Sequence, residues 1–270
     1  MRDNQGRPAL GVQKVTSSNL VGPTSVCGVR QGRGNYDGLP QVSQRVRKMK
    51  TVLVTGGTTR LGLAIAEHLR SAGWRVLSSS HRAGSGADIV ADLSEPMGAA
   101  RLYAAALSAL GGMPPDALVN NAALFVGDDA AVEAVNLDAP MKLTMLMAGR
   151  ESGRGAVVNV LDAAVLPASP AGGRPSREPA DSSASPRYAA TKRALLDYTI
   201  KSAAMFADSL RVNAVAPGPV FAPVGVSEKA GETPIGRPKA EDVAKAVEFL
   251  LGADATTGAV IPVDGGEHLA

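Results

Sequence analysis

From Lys50 onward the chain alternates apolar runs of strand length with segments of helix length, and no other feature limits its fold as tightly. TVLVT (51–55) leads to LGLAIAEHLRSAG (61–73), RVLSS (75–79), ADIVADL (87–93), EPMGAARLYAAALSAL (95–110), ALVNNA (117–122) and an Ala/Leu/Met-rich stretch to Gly149. AVVNVL (156–161), a helix expected over 186–207, LRVNAVAPG (210–218), AEDVAKAVEFLLG (240–252) and AVIPVDGG (259–266) continue the rhythm. Strands separated by helices pair in parallel, because a tight turn cannot return a chain to a parallel neighbour. The strands carry apolar side chains on both faces, as a sheet covered by helices on both sides requires. The expectation is a doubly wound α/β fold. One stretch breaks the pattern: residues 164–187, dense in Pro, Gly, Ser and charge, are expected to form a long surface loop.

No linker divides residues 49–270, so one domain is expected there, within a chain of 270 residues that is 45% hydrophobic. No apolar run reaches the roughly 20 residues of a membrane span, and no membrane partner is expected. The formal charge of +3 conceals an asymmetry: residues 1–48 hold eight Lys/Arg against two Asp/Glu, leaving 20 against 23 for the body. That first segment has neither helical nor strand period and is expected to be a disordered, dispensable basic extension; Met49 resembles a natural first residue, and the segment before it reads equally as an over-extended start or a disordered arm. Its charges are scattered and lack aromatic interleaving, which argues against nucleic acid as a partner. The single cysteine, Cys27, and three histidines without ligand spacing (His68, His81, His268) argue against disulfides and a metal site. With no apolar signal-peptide core near the start, a cytoplasmic location is expected.

The first strand runs straight into TGGTTRLG (Thr55–Gly62) and then a helix. Glycines let a backbone approach a pyrophosphate closely, and a helix N-terminus offers unpaired N–H groups and a positive dipole end. In this context the motif predicts dinucleotide binding.

Here the chain resembles the short-chain dehydrogenase/reductase family, over essentially Lys50 to Gly266. Its motifs stand in family order: TGGTTRLG, the acid of ADL (Asp92), NNAA (120–123), the Asn of AVNLDAP (Asn136), YAATK (188–192), APGPV (216–220) and PVDGG. The resemblance implies a Rossmann-type, seven-stranded parallel sheet with the cofactor across the strand C-terminal ends, and a homotetramer built through the long helices. It implies a cofactor surface of Gly56, Thr58, Arg60, Leu61, His81, Arg82, Asp92, Leu93, Asn121, Ala122, Lys192, Pro217, Gly218 and Val220. Where a NAD-preferring enzyme places an acid after the second strand, this sequence has Arg82; a guanidinium suits a 2′-phosphate, so NADP(H) is the expected cofactor. Tyr188 and Lys192, spaced i, i+4, share a helical face. By resemblance Tyr188 donates the proton in reduction, Lys192 lowers the phenol's pKa and holds the ribose, and Asn136 anchors a water of the proton relay.

Three residues depart from the common pattern. Asp162 follows VVNVL, where most of the family has a Ser whose hydroxyl polarises a carbonyl; an ionised carboxylate cannot donate a hydrogen bond and repels a developing alkoxide. A non-catalytic protein, a protonated Asp, or a substrate offering N–H groups would each account for it. Arg60 replaces the middle glycine of the motif, and Phe125 follows NNAAL. The trio resembles the pteridine reductase branch, in which Phe125 would sandwich a flat pterin against the nicotinamide, Arg60 would bridge cofactor phosphate and substrate, and Asp162 would work with Tyr188 in proton delivery. Taken singly, Phe125 could be core, Arg60 could serve phosphate alone and Asp162 could cap a turn. The expected activity is NADPH-dependent reduction of a dihydropterin-type small-molecule substrate. The alternatives are reduction of a carbonyl or 3-oxoacyl thioester, and a non-catalytic NADP-binding sensor.

Overall fold

The computed structural model describes residues 49–151, 153–167, 186–221 and 233–269. The expected extension at 1–48 and most of the 164–187 loop lie outside the described residues. The elements in chain order are β1 (Thr51–Val54), α1 (Arg60–Ser71), β2 (Arg75–Ser80), β3 (Ile89–Val90), α2 (Gly98–Ala109), β4 (Ala117–Asn120), α3 (Asp129–Glu133), α4 (Ala139–Ala148), β5 (Gly155–Val160), α5 (Pro186–Met205), β6 (Leu210–Pro217), α6 (Ala240–Gly252) and β7 (Val260–Val263). The seven strands are all parallel, in the order β3-β2-β1-β4-β5-β6-β7. Chain order reverses between β1 and β4, and such a reversal opens a crevice beyond the strand C-termini.

The two-sided strands divide their residues between two cores. Val52 and Val54 of β1 point into one, with Ile65 and Leu69 of α1 and Val247 and Leu250 of α6. Leu53 points into the other, with Leu102 of α2 and Leu143 and Met147 of α4. Period-two alternation thus serves both faces of one strand. Burying each such side chain contributes about 1.5–3 kcal/mol, which is why the strands read as continuous apolar runs.

Polar residues inside the sheet fix α5, the helix that carries Tyr188 and Lys192. Asn120 of β4 lies opposite Asn159 of β5 and donates to it at 2.8 Å. Asn159 in turn donates to Thr199 of α5 at 2.9 Å. A buried network of this kind sets helix register, since a one-residue slip leaves amides unpaired. At the other end of α5, Arg187 meets Glu133 of α3 at 3.6 Å, a half-exposed contact of small energetic value.

Two expectations are refined. The segment ADIVADL yields only the two-residue β3, because the Asp88 carboxylate turns back to accept from the Ser78 N–H and hydroxyl, both at 2.7 Å; a short edge strand also discourages intermolecular pairing. The Ala/Leu/Met-rich stretch is not one regular helix, for a π-helical turn, Ala134–Asp138, separates α3 from α4.

Candidate active site

Beyond the C-terminal ends of the central strands lies a cleft of about 1150 Å³. Every site residue predicted from the sequence lines it except Asn136.

The β1–α1 turn forms one wall. Gly56 has φ +63°, and a Cβ there would meet the Ala122 backbone at 3.1 Å. At Gly62 a Cβ would stand 2.0 Å from the Gly56 carbonyl oxygen, so only glycine lets helix and turn close. Asn121 clamps the turn by donating to the Thr55 and Gly56 carbonyls at 2.9 and 3.2 Å. The Thr55 hydroxyl accepts from the N–H groups of Asn121 and Ala122. Thr58 and Leu61 complete this wall. Arg60 occupies its glycine position with φ +49°, so the backbone keeps the left-handed shape while the side chain adds a guanidinium. Strain held by a non-glycine residue in this region costs about 1–3 kcal/mol and clusters at functional sites. That guanidinium lies 5.0 Å from the ring centroid of Phe221, a stacking geometry favourable for a cation. No side chain caps the N-terminus of α1, and its first turn holds no acid; its leading N–H groups are therefore suited to an anion.

At the far end of the cleft, His81 and Arg82 are exposed at the exit of β2. Asp92 accepts from the Ser94 hydroxyl and N–H at 2.6 and 2.9 Å, contacts that lower its pKa, and Leu93 beside it is buried. Pro217, Gly218 and Val220 leave β6 on the opposite side. A Cβ on Gly218 would stand 2.8 Å from Asp264 Cα, so the exits of β6 and β7 can pack only with glycine there.

The chemical groups meet where β5 ends. The Tyr188 hydroxyl donates to Asp162 Oδ2 at 3.0 Å, and Asp162 Oδ1 accepts from the Ala164 N–H at 2.9 Å, capping a short 3-10 turn, Ala163–Val165. The carboxylate is thus both a turn cap and the partner of the phenol. Burial, followed by the charge of Asp162 and the hydrogen bond to it, raises the Tyr188 pKa well above 10.0. Lys192, only 3% exposed, donates to the Val160 carbonyl at 2.7 Å. Burial pushes its pKa down to about 8, opposed by the Asp162 charge. Phe125 contacts Tyr188 edge to face, with centroids 4.9 Å apart and planes at 64°. Asn136, on the π-helical turn, grips the Leu124 backbone with both polar atoms, Oδ1 accepting from its N–H at 2.7 Å and Nδ2 donating to its carbonyl at 2.8 Å, while Nδ2 also reaches the Thr191 hydroxyl of α5 at 3.5 Å. It therefore fixes the backbone immediately before Phe125. π-Turns recur at functional sites because the extra residue re-aims a side chain.

Among the lining residues that escaped the sequence reading, two carry side chains of chemical interest. Phe221 follows APGPV and pairs with Arg60, and Glu267 follows PVDGG and reaches the same cleft. Only an acid directly after DGG could have drawn attention to the second.

The fold and this cleft define a nucleotide-dependent oxidoreductase of the Rossmann type. The family described as short chain dehydrogenase matches residues 50–233, and the chain belongs to that family. FixR of Bradyrhizobium diazoefficiens is 31% identical over 254 residues, covering 82% of this chain and 87% of that protein. The protein named ketoacyl reductase 2 of the granaticin polyketide synthase, from Streptomyces violaceoruber, is 33% identical over 255 residues, covering 80% and 95%. Among solved structures, FolM alternative dihydrofolate reductase 1 from Brucella canis, complexed with NADP, superposes with a TM-score of 0.67 at 30% identity, covering 82% of this chain and 95% of that one.

Proposed function

We propose that this protein is an NADPH-dependent reductase of a dihydropterin-type ring. The observation that carries the reading is the Asp162–Tyr188 hydrogen bond of 3.0 Å: a carboxylate stands where a carbonyl reductase needs a donor, an arrangement suited to a substrate that itself brings N–H groups. The FolM likeness, to a protein named as a dihydrofolate reductase and complexed with NADP, supports it.

The residues present fit the cofactor. The side-chain-free turn at Gly56 and the uncapped start of α1 would hold the pyrophosphate, with Thr58, Leu61, Asn121 and Ala122 along that wall. His81 and Arg82 would hold the 2′-phosphate, Asp92 and Leu93 the adenine end, and Pro217, Gly218 and Val220 the nicotinamide end. When bound, NADPH supplies the hydride. Tyr188 delivers the proton to the ring nitrogen, its phenol staying protonated at neutral pH because burial and Asp162 oppose ionisation. The Lys192 ammonium stabilises the phenolate left behind. Asp162 accepts from ring N–H or amino groups, and Phe125, held through Leu124 by Asn136, supplies an aromatic face for stacking. A substrate panel followed by NADPH absorbance tests the reading: dihydropterins should be reduced and an acetoacetyl thioester poorly or not at all. The reverse order would favour the ketoacyl reductase alternative, and no turnover at all the sensor.

Two further outcomes are expected. Arg82→Asp sets a like charge against the 2′-phosphate; losing a charge-assisted contact of about 1.5–3 kcal/mol lowers NADPH affinity about tenfold to a hundredfold, while NADH affinity holds or rises. The ratio of the two dissociation constants is the check. Second, Lys192 carries its charge below about pH 8 and loses it above, so kcat/KM for reduction should fall as pH rises through about 8. A profile flat to pH 10 would remove the ammonium from the mechanism.

Among the described residues, no helix is long and apolar enough to cross a membrane. Met145 and Leu146 on α4 and Ile200 and Met205 on α5 expose large apolar side chains. They favour a homotetramer packed through these helices.

A further inference from the structure

We infer that Thr191, three residues along α5 from Tyr188, is a positioning residue for proton transfer. Its hydroxyl couples the Tyr188 turn to the loop that carries Phe125, and so sets the slot in which a flat substrate must stack and receive its proton. This rests on the reading that Tyr188 delivers the proton and Phe125 stacks, and it adds the device that holds the two in register.

Thr191 is 2% exposed and Asn136 1%, so solvent is no substitute for the partners they find in the protein. The Thr191 hydroxyl donates to the Tyr188 carbonyl at 2.8 Å, a back-bond common for threonine within a helix. The same oxygen then accepts a long hydrogen bond, 3.5 Å, from Asn136 Nδ2. An amide nitrogen carries two N–H donors: one goes to the Leu124 carbonyl at 2.8 Å, and the Thr191 oxygen is the acceptor that meets the other. Asn136 Oδ1 meanwhile holds the Leu124 N–H. Contacts therefore run unbroken from the residue before Phe125, through the π-helical turn, to the carbonyl of Tyr188. On the cleft side the circuit closes through the two rings, edge to face at 4.9 Å.

The same device stands two turns further along the helix. Thr199 donates to the Leu195 carbonyl at 2.7 Å and accepts from Asn159 Nδ2 at 2.9 Å, which ties the middle of α5 to the sheet. That anchor lies about 12 Å from Thr191 at the usual helical rise, so it fixes the register of α5 and leaves the first turn to be placed by nearer contacts. Tyr188 and Lys192 themselves bond towards β5, through Asp162 and the Val160 carbonyl. Thr191 supplies the buried tie towards the Phe125 loop. The Arg187–Glu133 contact on that side, at 3.6 Å and half exposed, holds little. A general acid must stand within hydrogen-bond reach of the atom it protonates, so a tie that spaces the acid from the stacking ring acts on the chemical step without touching the substrate.

Thr191→Val keeps the side-chain shape and removes the oxygen, leaving one buried Asn136 N–H without its acceptor. The test compares it with Thr191→Ser in the turnover of whichever substrate the panel reduces, since Tyr188 delivers the proton to either class. Thr191→Val should lower kcat about tenfold to a hundredfold, the effect of displacing a reacting group by up to about 1 Å, with the NADPH dissociation constant held within about twofold. Thr191→Ser should restore kcat to within about threefold of native. In a Tyr188→Phe background Thr191→Val should cost nothing further, because an absent acid cannot be misplaced. Aromatic NMR of the resting protein gives a signature apart from turnover. With only four phenylalanines in the chain, the Phe125 ring protons, shifted by the Tyr188 ring, should move in Thr191→Val and return in Thr191→Ser. Unchanged kcat in Thr191→Val, a further loss in the Tyr188→Phe background, equal losses in the Val and Ser variants, or Phe125 resonances that stay in place would each overturn the inference. Turnover lost in Tyr188→Phe but kept in Thr191→Val would leave proton delivery standing and sink this inference alone. Turnover kept in Tyr188→Phe, or a native protein that reduces no member of the panel, would sink both.

Discussion

Tyr188→Phe is expected to lower turnover by about two to four orders of magnitude, the range spanned by positioned general acids, while the dissociation constant for NADPH stays within about twofold. The side chain's two contributions separate cleanly. Its ring packs edge to face on Phe125 and lies 5.8 Å below the Lys192 ammonium, contacts that phenylalanine retains. Its hydroxyl bonds only to Asp162 among the described residues, so the substitution removes the acid and leaves the packing. Single-turnover rates beside equilibrium cofactor binding make the comparison, and a loss shared equally between kcat and cofactor affinity would point to a collapsed site. Unchanged turnover would assign proton delivery to another group.

The architecture was readable because its strands are buried on both faces. Val52 and Val54 pack towards α1 and α6, and Leu53 towards α2 and α4, and that demand leaves an unmistakable run of Val and Leu. The glycine turn was readable for a similar reason, since at Gly56 and Gly62 a Cβ has no room. Arg60 was readable only as a departure: sequence cannot reveal that its backbone still adopts the left-handed conformation, because that shape is imposed by the turn around it. The π-turn at Ala134–Asp138 leaves almost no trace, since one extra residue merely shifts the helical phase. Its consequence was missed with it. The amide of Asn136 is engaged by the Leu124 backbone, a contact that makes it a support of Phe125, which the sequence did not foretell. Glu267 was invisible because β7 returns to the cleft from the far edge of the sheet order, and no local period encodes a long-range approach of that kind. Local pattern fixes elements; close approaches between distant turns decide which side chains share a cavity.

Asp162 is where the chemistry is most exposed to refutation, and three substitutions divide its roles. Asp162→Ala removes the partner of the phenol and the cap of the Ala163–Val165 turn together. Losing a cap costs about 1 kcal/mol, too little to unfold the domain, so dihydropterin turnover should fall by about a hundredfold or more in a protein that remains folded. Asp162→Ser keeps a capping oxygen and replaces an acceptor with a donor. It should not restore dihydropterin reduction, yet it should admit slow reduction of a simple ketone or quinone, because a hydroxyl can donate to a developing alkoxide. Asp162→Asn keeps the cap and the shape but removes the charge, and its electrostatic effects have a defined sign. The carboxylate raises the pKa of Tyr188 and of Lys192 alike, so without it both fall: the phenol ionises more readily, and the ammonium loses its proton below the native value of about 8. The alkaline fall of kcat/KM should therefore move to lower pH in Asp162→Asn and Asp162→Ser. An alkaline limb that stays in place in both variants would show that Asp162 does not act on the Tyr188–Lys192 pair. Native inactivity towards dihydropterins combined with efficient turnover of an oxoacyl thioester would sink the pteridine reading and leave Asp162 either a protonated donor or a bystander that caps its turn.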